Sequence, residues 1–299
     1  MTMDVPSQKP RPRPQRLEAW RFYDERAASY RPTVTAEGKF VLDRWEMSAA
    51  QFFTRTLRGT RSVVDVGCGA GFPSLLIAPE VGHITATDVS VNLVAVAAER
   101  ARLVDCDNVT FSVASGQRLP FRAGLFDGAI LCASLQSTVE PEGMVAEVRR
   151  LLRPGGQVAC LERNWQGESS RPAEPPLLKR FYLAHGELFP QLFYQFSERL
   201  PIPGRERNYR FRIDPESDFG RLIFANSLLR EQHTLPTELD PADLPVESIS
   251  AAWFDESSGF TPETLTELFA STGFTDIHLE LETLWSREEQ ILLTCHLPG

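Results

Sequence analysis

The stretch RSVVDVGCGAGFPSLLIAPEVGHITATDVS, residues 61–90, sets glycines at 67, 69 and 71 between two aspartates, Asp65 and Asp88. Ser62 to Val66 is a short, β-branched apolar run closed by glycine, and it reads as a buried strand. The alternating glycines mark a turn passing close to a ligand, because a residue without a Cβ accepts positive φ and leaves room. Pro73 suits the first turn of a helix, where a missing N–H costs nothing. Leu75, Leu76 and Ile77 form that helix's apolar body. Ile84 to Ala86 is a second strand, with Asp88 at its end. Strand, loop, helix, strand and acid make half of an open α/β sheet, which binds ligands at the carboxyl ends of its strands.

The spacing narrows the ligand. A dinucleotide fingerprint, G-x-G-x-x-G, needs a third glycine where Phe72 stands, and no G-x-x-x-x-G-K-[ST] phosphate loop is present. The observed form is D-x-G-x-G-x-G. Asp65 would repel a pyrophosphate and favours an amino group. Asp88 suits a ribose, since a carboxylate accepts from both hydroxyls. An amino acid joined to a ribose describes S-adenosylmethionine. With these residues the chain resembles the class I S-adenosylmethionine-dependent methyltransferases, particularly the small-molecule group. NVTFSVASGQRLPFRAGLFDGAILCAS (108–134) resembles the family's third strand, adenine loop and fourth strand. EVRRLLRPGGQVACLER (147–163) resembles its next helix, Pro-Gly turn and fifth strand.

The resemblance implies an α/β fold: a Rossmann-like, seven-stranded, mostly parallel sheet with flanking helices. It also implies cofactor contacts from Asp65, Gly67, Cys68, Gly69, Gly71, Asp88, Val89, Ser115, Gly116, Gln117, Cys132, Ala133 and Gln136. Ser115 stands where relatives usually carry an aspartate near adenine, and its hydroxyl is a weaker acceptor than a carboxylate. Gln136 stands where many have histidine. AWRFYDERAASYRP (19–32) resembles the helix that covers the cofactor, with Tyr30, and less directly Tyr23, reaching towards it.

Downstream, Ser90 is an N-cap for a helix carrying Leu93, Ala97 and Ala101 on one side. In TPETLTELFASTGF, Thr261 is an N-cap, Pro262 the first helical residue and Gly273 a stop. Ile277, Leu279 and Leu281 alternate with polar residues as a half-buried strand, and Ile291 to Cys295 is the last strand. In the family these two strands pair antiparallel on the sheet. Four segments follow: an extended or disordered arm over 1–15, a cofactor-binding core over 16–165, an insert over 166–260, and core-completing elements over 261–299.

The insert is expected to be a helical substrate cap. It holds proline clusters, the aromatic run FYLAHGELFPQLFYQF and the arginine-rich RERNYRFR. Phe181, Tyr182, Phe193 and Tyr194 would wall an acceptor, and Arg210 and Arg212, with Arg205 and Arg207, would recognise an acidic group. The competing reading of these arginines is a solvated hairpin. For Tyr23 and Tyr30 the competing reading is packing, since aromatics at helical spacing are more often core residues.

The chain has 299 residues and a net charge of −9, which disfavours general binding to nucleic acid or an anionic membrane. No apolar run reaches membrane-spanning length, and no signal-peptide core opens the chain. The five cysteines, Cys68, Cys106, Cys132, Cys160 and Cys295, are scattered without a C-x-x-C, so neither a disulfide framework nor a metal site is expected. A reducing cytoplasm is the expected location. The expected activity is methyl transfer from S-adenosylmethionine to an O, N, S or C nucleophile of a small or medium-sized molecule. His185 and Glu162 are the candidate bases. The alternatives are a cofactor-binding module without transfer activity, or a protein or RNA methyltransferase. Oligomeric state stays open.

Overall fold

The computed structural model describes residues 15–16, 24, 27, 33–138, 140–164, 178–184, 190–200, 205–284 and 288–299. The chain divides into two compact units, one of Ala19–Pro172 with Ser258–Gly299, the other of Met1–Glu18 with Ala173–Ser257.

The first unit is built on five strands: β1 (Ser62–Val66), β2 (His83–Asp88), β3 (Val109–Val113), β4 (Phe126–Cys132) and β5 (Leu152–Arg163). The chain's last two strands, β11 (Thr275–Leu284) and β12 (Glu288–His296), complete its sheet; the intervening numbers belong to the insert. The order is β11-β12-β5-β4-β1-β2-β3. Neighbours from β5 to β3 pair parallel, and β12 pairs antiparallel with both β5 and β11. Because β2 and β4 lie on opposite sides of β1, the connections after β1 diverge. That divergence opens a crevice at the carboxyl ends of β1 and β4.

Helices cover both faces. Before the sheet, α1 (Arg44–Leu57) starts at a reciprocal cap: Asp43 accepts from the Glu46 N–H, and Glu46 accepts from the Asp43 N–H. After β1 comes the short α2 (Ser74–Ile77). After β2 comes α3 (Val91–Leu103), capped by Ser90, and α4 (Pro141–Leu151) precedes β5. One face of the sheet buries Val64, Val66, Leu131, Val145, Val148 and Leu293. The other buries Phe52, Phe53, Leu57, Ile77, Ile84 and Ile130. β1 and β4 supply apolar residues to both, so they read as continuous hydrophobic runs.

The second unit differs from the expected helical cap. Its main element is a sheet formed by β6 (Leu178–Ala184), β7 (Gln191–Arg199), β8 (Arg205–Ile213), β9 (Thr234–Pro236) and β10 (Ile249–Ser258). The strand Gln15–Arg16 adds parallel to β10, so Gln15 pairs with Trp253, while the rest of the expected N-terminal arm lies outside the described residues. Order is Gln15–Arg16, β10, β8, β7, β6, β9. Among the described residues its α-helices are α5 (Asp218–Ala225) and α6 (Ser227–Gln232), with single 3-10 turns at Pro241–Asp243 and Val246–Ser248. The physical reason lies in the residues: Phe and Tyr favour a pleated, half-buried surface, and their alternation with polar neighbours has period two rather than 3.6.

In the first unit again, α7 (Pro262–Ser271) follows the insert with the expected Thr261 cap, and Gly273 beyond it has φ of +93°.

Candidate functional site

The crevice is lined by the loops leaving β1, β2 and β4. Gly67, Gly69 and Gly71 all adopt positive φ, but they face different surroundings. A Cβ on Gly67 would lie 2.6 Å from the Ser134 Cβ, and one on Gly71 2.7 Å from Leu75 Cδ1. Those two glycines allow loop and protein to pack. A Cβ on Gly69 would meet no atom of the described residues within 4 Å. Gly69 is therefore the position where the backbone is open to a ligand. Cys68 is buried and its Sγ donates to the Gly69 carbonyl.

The two aspartates bracket this opening. Asp65 is fully buried; its Oδ2 accepts from the Ser74 hydroxyl at 2.6 Å, and its Oδ1 has no partner among the described residues. Burial pushes its carboxyl up to about 8, against the opposing hydrogen bond from Ser74. Asp88 accepts the Gly69 N–H and the Ser90 N–H, both at 2.9 Å. Burial raises its carboxyl despite those donors, and the Asp24 charge adds to the rise. A carboxylate has about four lone-pair sites, so two backbone donors leave capacity for hydroxyls. Val89, next to it, is exposed beside the carboxyl edge.

The β3 loop holds Ser115 and Gln117 exposed, with the Gln117 Nε2 donating to the Thr138 hydroxyl at 3.1 Å. Gly116 lies against Met144 and Val66, where a Cβ would come within 2.7 Å of the Met144 side chain. Packing thus also demands that glycine. At the end of β4, Cys132 is part-buried and burial drives its thiol pKa upwards. Ala133 takes φ of +52°, a left-handed conformation unusual without glycine. Its N–H donates to the Leu161 carbonyl at 2.7 Å.

Glu162 sits near the end of β5, fully buried. It accepts from the Leu135 N–H at 2.8 Å and the Gln136 N–H at 3.3 Å. Its carboxyl is pushed up to about 8 by burial, against these donors. This geometry makes it a brace for the post-β4 loop and leaves Gln136 tied by its backbone. His185 and Tyr30 lie outside the described residues, as does Tyr23.

In the insert the expected aromatic wall splits in two. Tyr182 and Phe193, paired across β6 and β7, stack at 5.2 Å. Arg212 pairs with Phe193 across β7 and β8 and lies over Trp253, 5.3 Å from its centroid. Arg210 shares their side of the sheet and is 8% exposed, so it is no solvated charge. Phe181 and Tyr194 belong to the other face, in a core with Leu192, Ile213 and Leu229. The Tyr194 hydroxyl donates to the Leu239 carbonyl at 2.6 Å. Tyr194 is thus corrected from a substrate contact to a core residue: strand pleating sends adjacent residues to opposite faces.

Sequence reasoning missed Asp24. Its carboxylate accepts from the Ser90 hydroxyl at 2.6 Å, and from the Asn92 N–H and Nδ2 at 2.9 Å each. An acid a long way upstream of the glycine loop carries no local signature of that contact.

Residues 64–160 match the methyltransferase domain family. Demethylmenaquinone methyltransferase of Listeria welshimeri is 33% identical over 111 residues, 36% of this chain and 47% of the relative. The enzyme of the same name from Clavibacter sepedonicus is 29% identical over 161 residues, 54% and 61% of the two chains. The chain thus spans about half the length of the curated relatives it matches. Among solved structures, an S-adenosylmethionine-dependent methyltransferase from Clostridium acetobutylicum aligns over 86% of this chain and 93% of its own, with 12% identity and TM-score 0.55. The [4+2]-cyclase SpnF aligns over 95% and 98%, with 19% identity and the same TM-score. Residues 64–160 thus carry a methyltransferase domain, and the sheet order is the fold of an S-adenosylmethionine-dependent methyltransferase. The residues present fit that cofactor, through the unpartnered Asp65 Oδ1 and the open cradle at Gly69.

Proposed function

We propose that this protein moves a methyl group from S-adenosylmethionine to a nucleophile of a small or medium-sized organic acceptor. One observation carries the reading: the glycine loop is open to a ligand only at Gly69, between the buried Asp65 and the half-buried Asp88. The cofactor supplies a methyl group already activated on a sulfonium. Asp65 offers its free oxygen to an ammonium, Asp88 its remaining lone pairs to a ribose, and Val89 an apolar surface to a flat ring. The chain's task is then alignment and exclusion of water, for which effective molarities reach about 10⁵–10⁸ M. Glu162, fully buried and accepting from the Leu135 and Gln136 N–H groups, orients the post-β4 loop.

The insert is the substrate cap in this reading. Asn164, the residue after β5, bridges to Phe260, so the chain leaves and re-enters the core at the carboxyl edge of the sheet. Relatives named for demethylmenaquinone support a small-molecule acceptor. The five cysteines are free, which fits a reducing cytoplasm.

Folds of this kind host more than one chemistry, so the test must read transfer as well as binding. Calorimetry with S-adenosylmethionine, S-adenosylhomocysteine and NAD is expected to show the first two bind and the third not. Methyl-labelled cofactor incubated with fractionated cell extract is expected to label a small molecule. Binding without any labelled product would favour a cofactor-binding module; label in protein or RNA would place the acceptor there. Preference for NAD would remove the assignment.

A further inference from the structure

We infer that Asp24 is a positioning residue for the cofactor's ribose end, acting through Ser90 on Asp88. This rests on the cofactor reading above. Asp24 Oδ1 accepts from the Ser90 hydroxyl at 2.6 Å, and Ser90's own N–H donates to Asp88 Oδ1 at 2.9 Å. The other oxygen of Asp88 accepts the Gly69 N–H at 2.9 Å. One hydrogen-bonded path therefore runs from the N-terminal segment, through the cap of α3, to the acid and the open glycine.

The anchoring of Asp24 is over-determined. Beyond Ser90, it accepts from the Asn92 N–H and Nδ2, and Asn92 Nδ2 reaches the Asp24 carbonyl at 3.2 Å. Three residues on, Ala27 is buried against Ala70 of the glycine loop and Leu93 of α3. Asp24 is thus held at the first turn of α3, and Ala27 at the loop between Gly69 and Gly71. An acid at a helix N-terminus is favoured by the partial positive charge of the unpaired N–H groups. Here it does more than cap. The Ser90 hydroxyl already caps α3 by accepting from the Leu93 N–H at 3.1 Å. By accepting the Ser90 proton, Asp24 fixes the direction of that hydroxyl and hence the peptide that feeds Asp88.

Asp24 also places a second carboxylate near Asp88, with only Ser90 between them, and its charge adds to the upward shift that burial gives the Asp88 carboxyl. A ligand carrying a net positive charge relieves that repulsion. The arrangement therefore favours the sulfonium form of the ligand over its neutral thioether product, beyond what Asp88 alone provides.

The test is a double-mutant cycle in the full-length protein, read as affinity for S-adenosylmethionine and S-adenosylhomocysteine at temperatures where every variant is folded. Asp24→Ala is expected to weaken S-adenosylmethionine about tenfold, the lower end for loss of a hydrogen bond to a charged group. It should weaken S-adenosylhomocysteine by a smaller factor. Ser90→Ala should cost a similar factor, and the double variant no more than the larger single effect, because both act on one path. A purely structural Asp24 would lower the melting temperature and leave the affinity of the folded protein unmoved, with no coupling to Ser90. Unchanged affinity in Asp24→Ala, or a double loss equal to the product of the singles, overturns the inference while leaving the cofactor assignment intact. Failure of the parent protein to bind either ligand overturns both.

Discussion

Gly69 adopts φ of +53° and its Cβ direction points at no described atom, whereas Gly67 is pressed against Ser134. The two positions should therefore respond differently to the same change. Gly69→Ala is expected to cost about 1–2 kcal/mol of stability, the price of a left-handed L-residue, and to lose cofactor affinity out of proportion. Gly67→Ala should cost more stability, because Ser134 must move. Denaturant melts and S-adenosylhomocysteine titrations on both variants check this; equal affinity in parent and Gly69→Ala removes Gly69 from the site. Asp65 adds a pH signature. Unfolded, it titrates near about 3.9; folded, burial holds it at about 8. Its contribution to stability is thus full below the unfolded value, erodes as pH rises, and is lost above about 8. An ammonium at its free oxygen reverses the shift, so cofactor binding at neutral pH should expel a proton. The dependence of binding enthalpy on buffer ionisation heat measures that proton, and Asp65→Asn should abolish it. A parent that releases none has no cation at Asp65.

The elements of the core were legible because each boundary has a local cause. Ser90 and Thr261 cap their helices through side-chain acceptors, and β3 spans Val109–Val113 as its apolar pattern demands. The cap of α1 was equally readable in Asp43 and Glu46, yet its register lies outside the family motifs and went unread. The insert was misread as helical because proline clusters and bulky aromatics suggested short capping helices. The informative signal was alternation: Arg207, Tyr209 and Phe211 share one side of β8, and Asn208, Arg210 and Arg212 the other. That pleat gives Tyr194 a purely structural task. Tyr194→Phe leaves the buried Leu239 carbonyl without its donor and is expected to cost about 1 kcal/mol. Denaturation of the two proteins tests the cost. Methyl-transfer kinetics should be unaltered, and an altered acceptor KM would return Tyr194 to the substrate.

At the scale of the whole molecule, the net charge of −9 opposes an anionic acceptor, since long-range potential follows the summed charge. An acidic group can be recognised only by a local concentration of cations that outweighs this field at short range. On the insert sheet Arg210 and Arg212 lie two residues apart on the side of β8 that carries Tyr182 and Phe193, a side that also holds the buried Glu206. Arg212 is held over the Trp253 ring, which orients the guanidinium without neutralising it. Among the described residues it has no carboxylate partner. By contrast Arg207 is committed to Glu256 and Glu198. The two arginines therefore make opposite predictions. Arg207→Gln should lower stability and leave acceptor recognition alone. Arg212→Gln should raise the acceptor's KM by on the order of tenfold, the scale of a lost charge-assisted hydrogen bond, with cofactor affinity unchanged. Steady-state kinetics on the acceptor identified by labelling, alongside cofactor calorimetry, separate the two effects. An unmoved KM in Arg212→Gln would leave Tyr182 and Phe193 to select the acceptor by shape, and would make an acidic acceptor untenable on a protein of this charge.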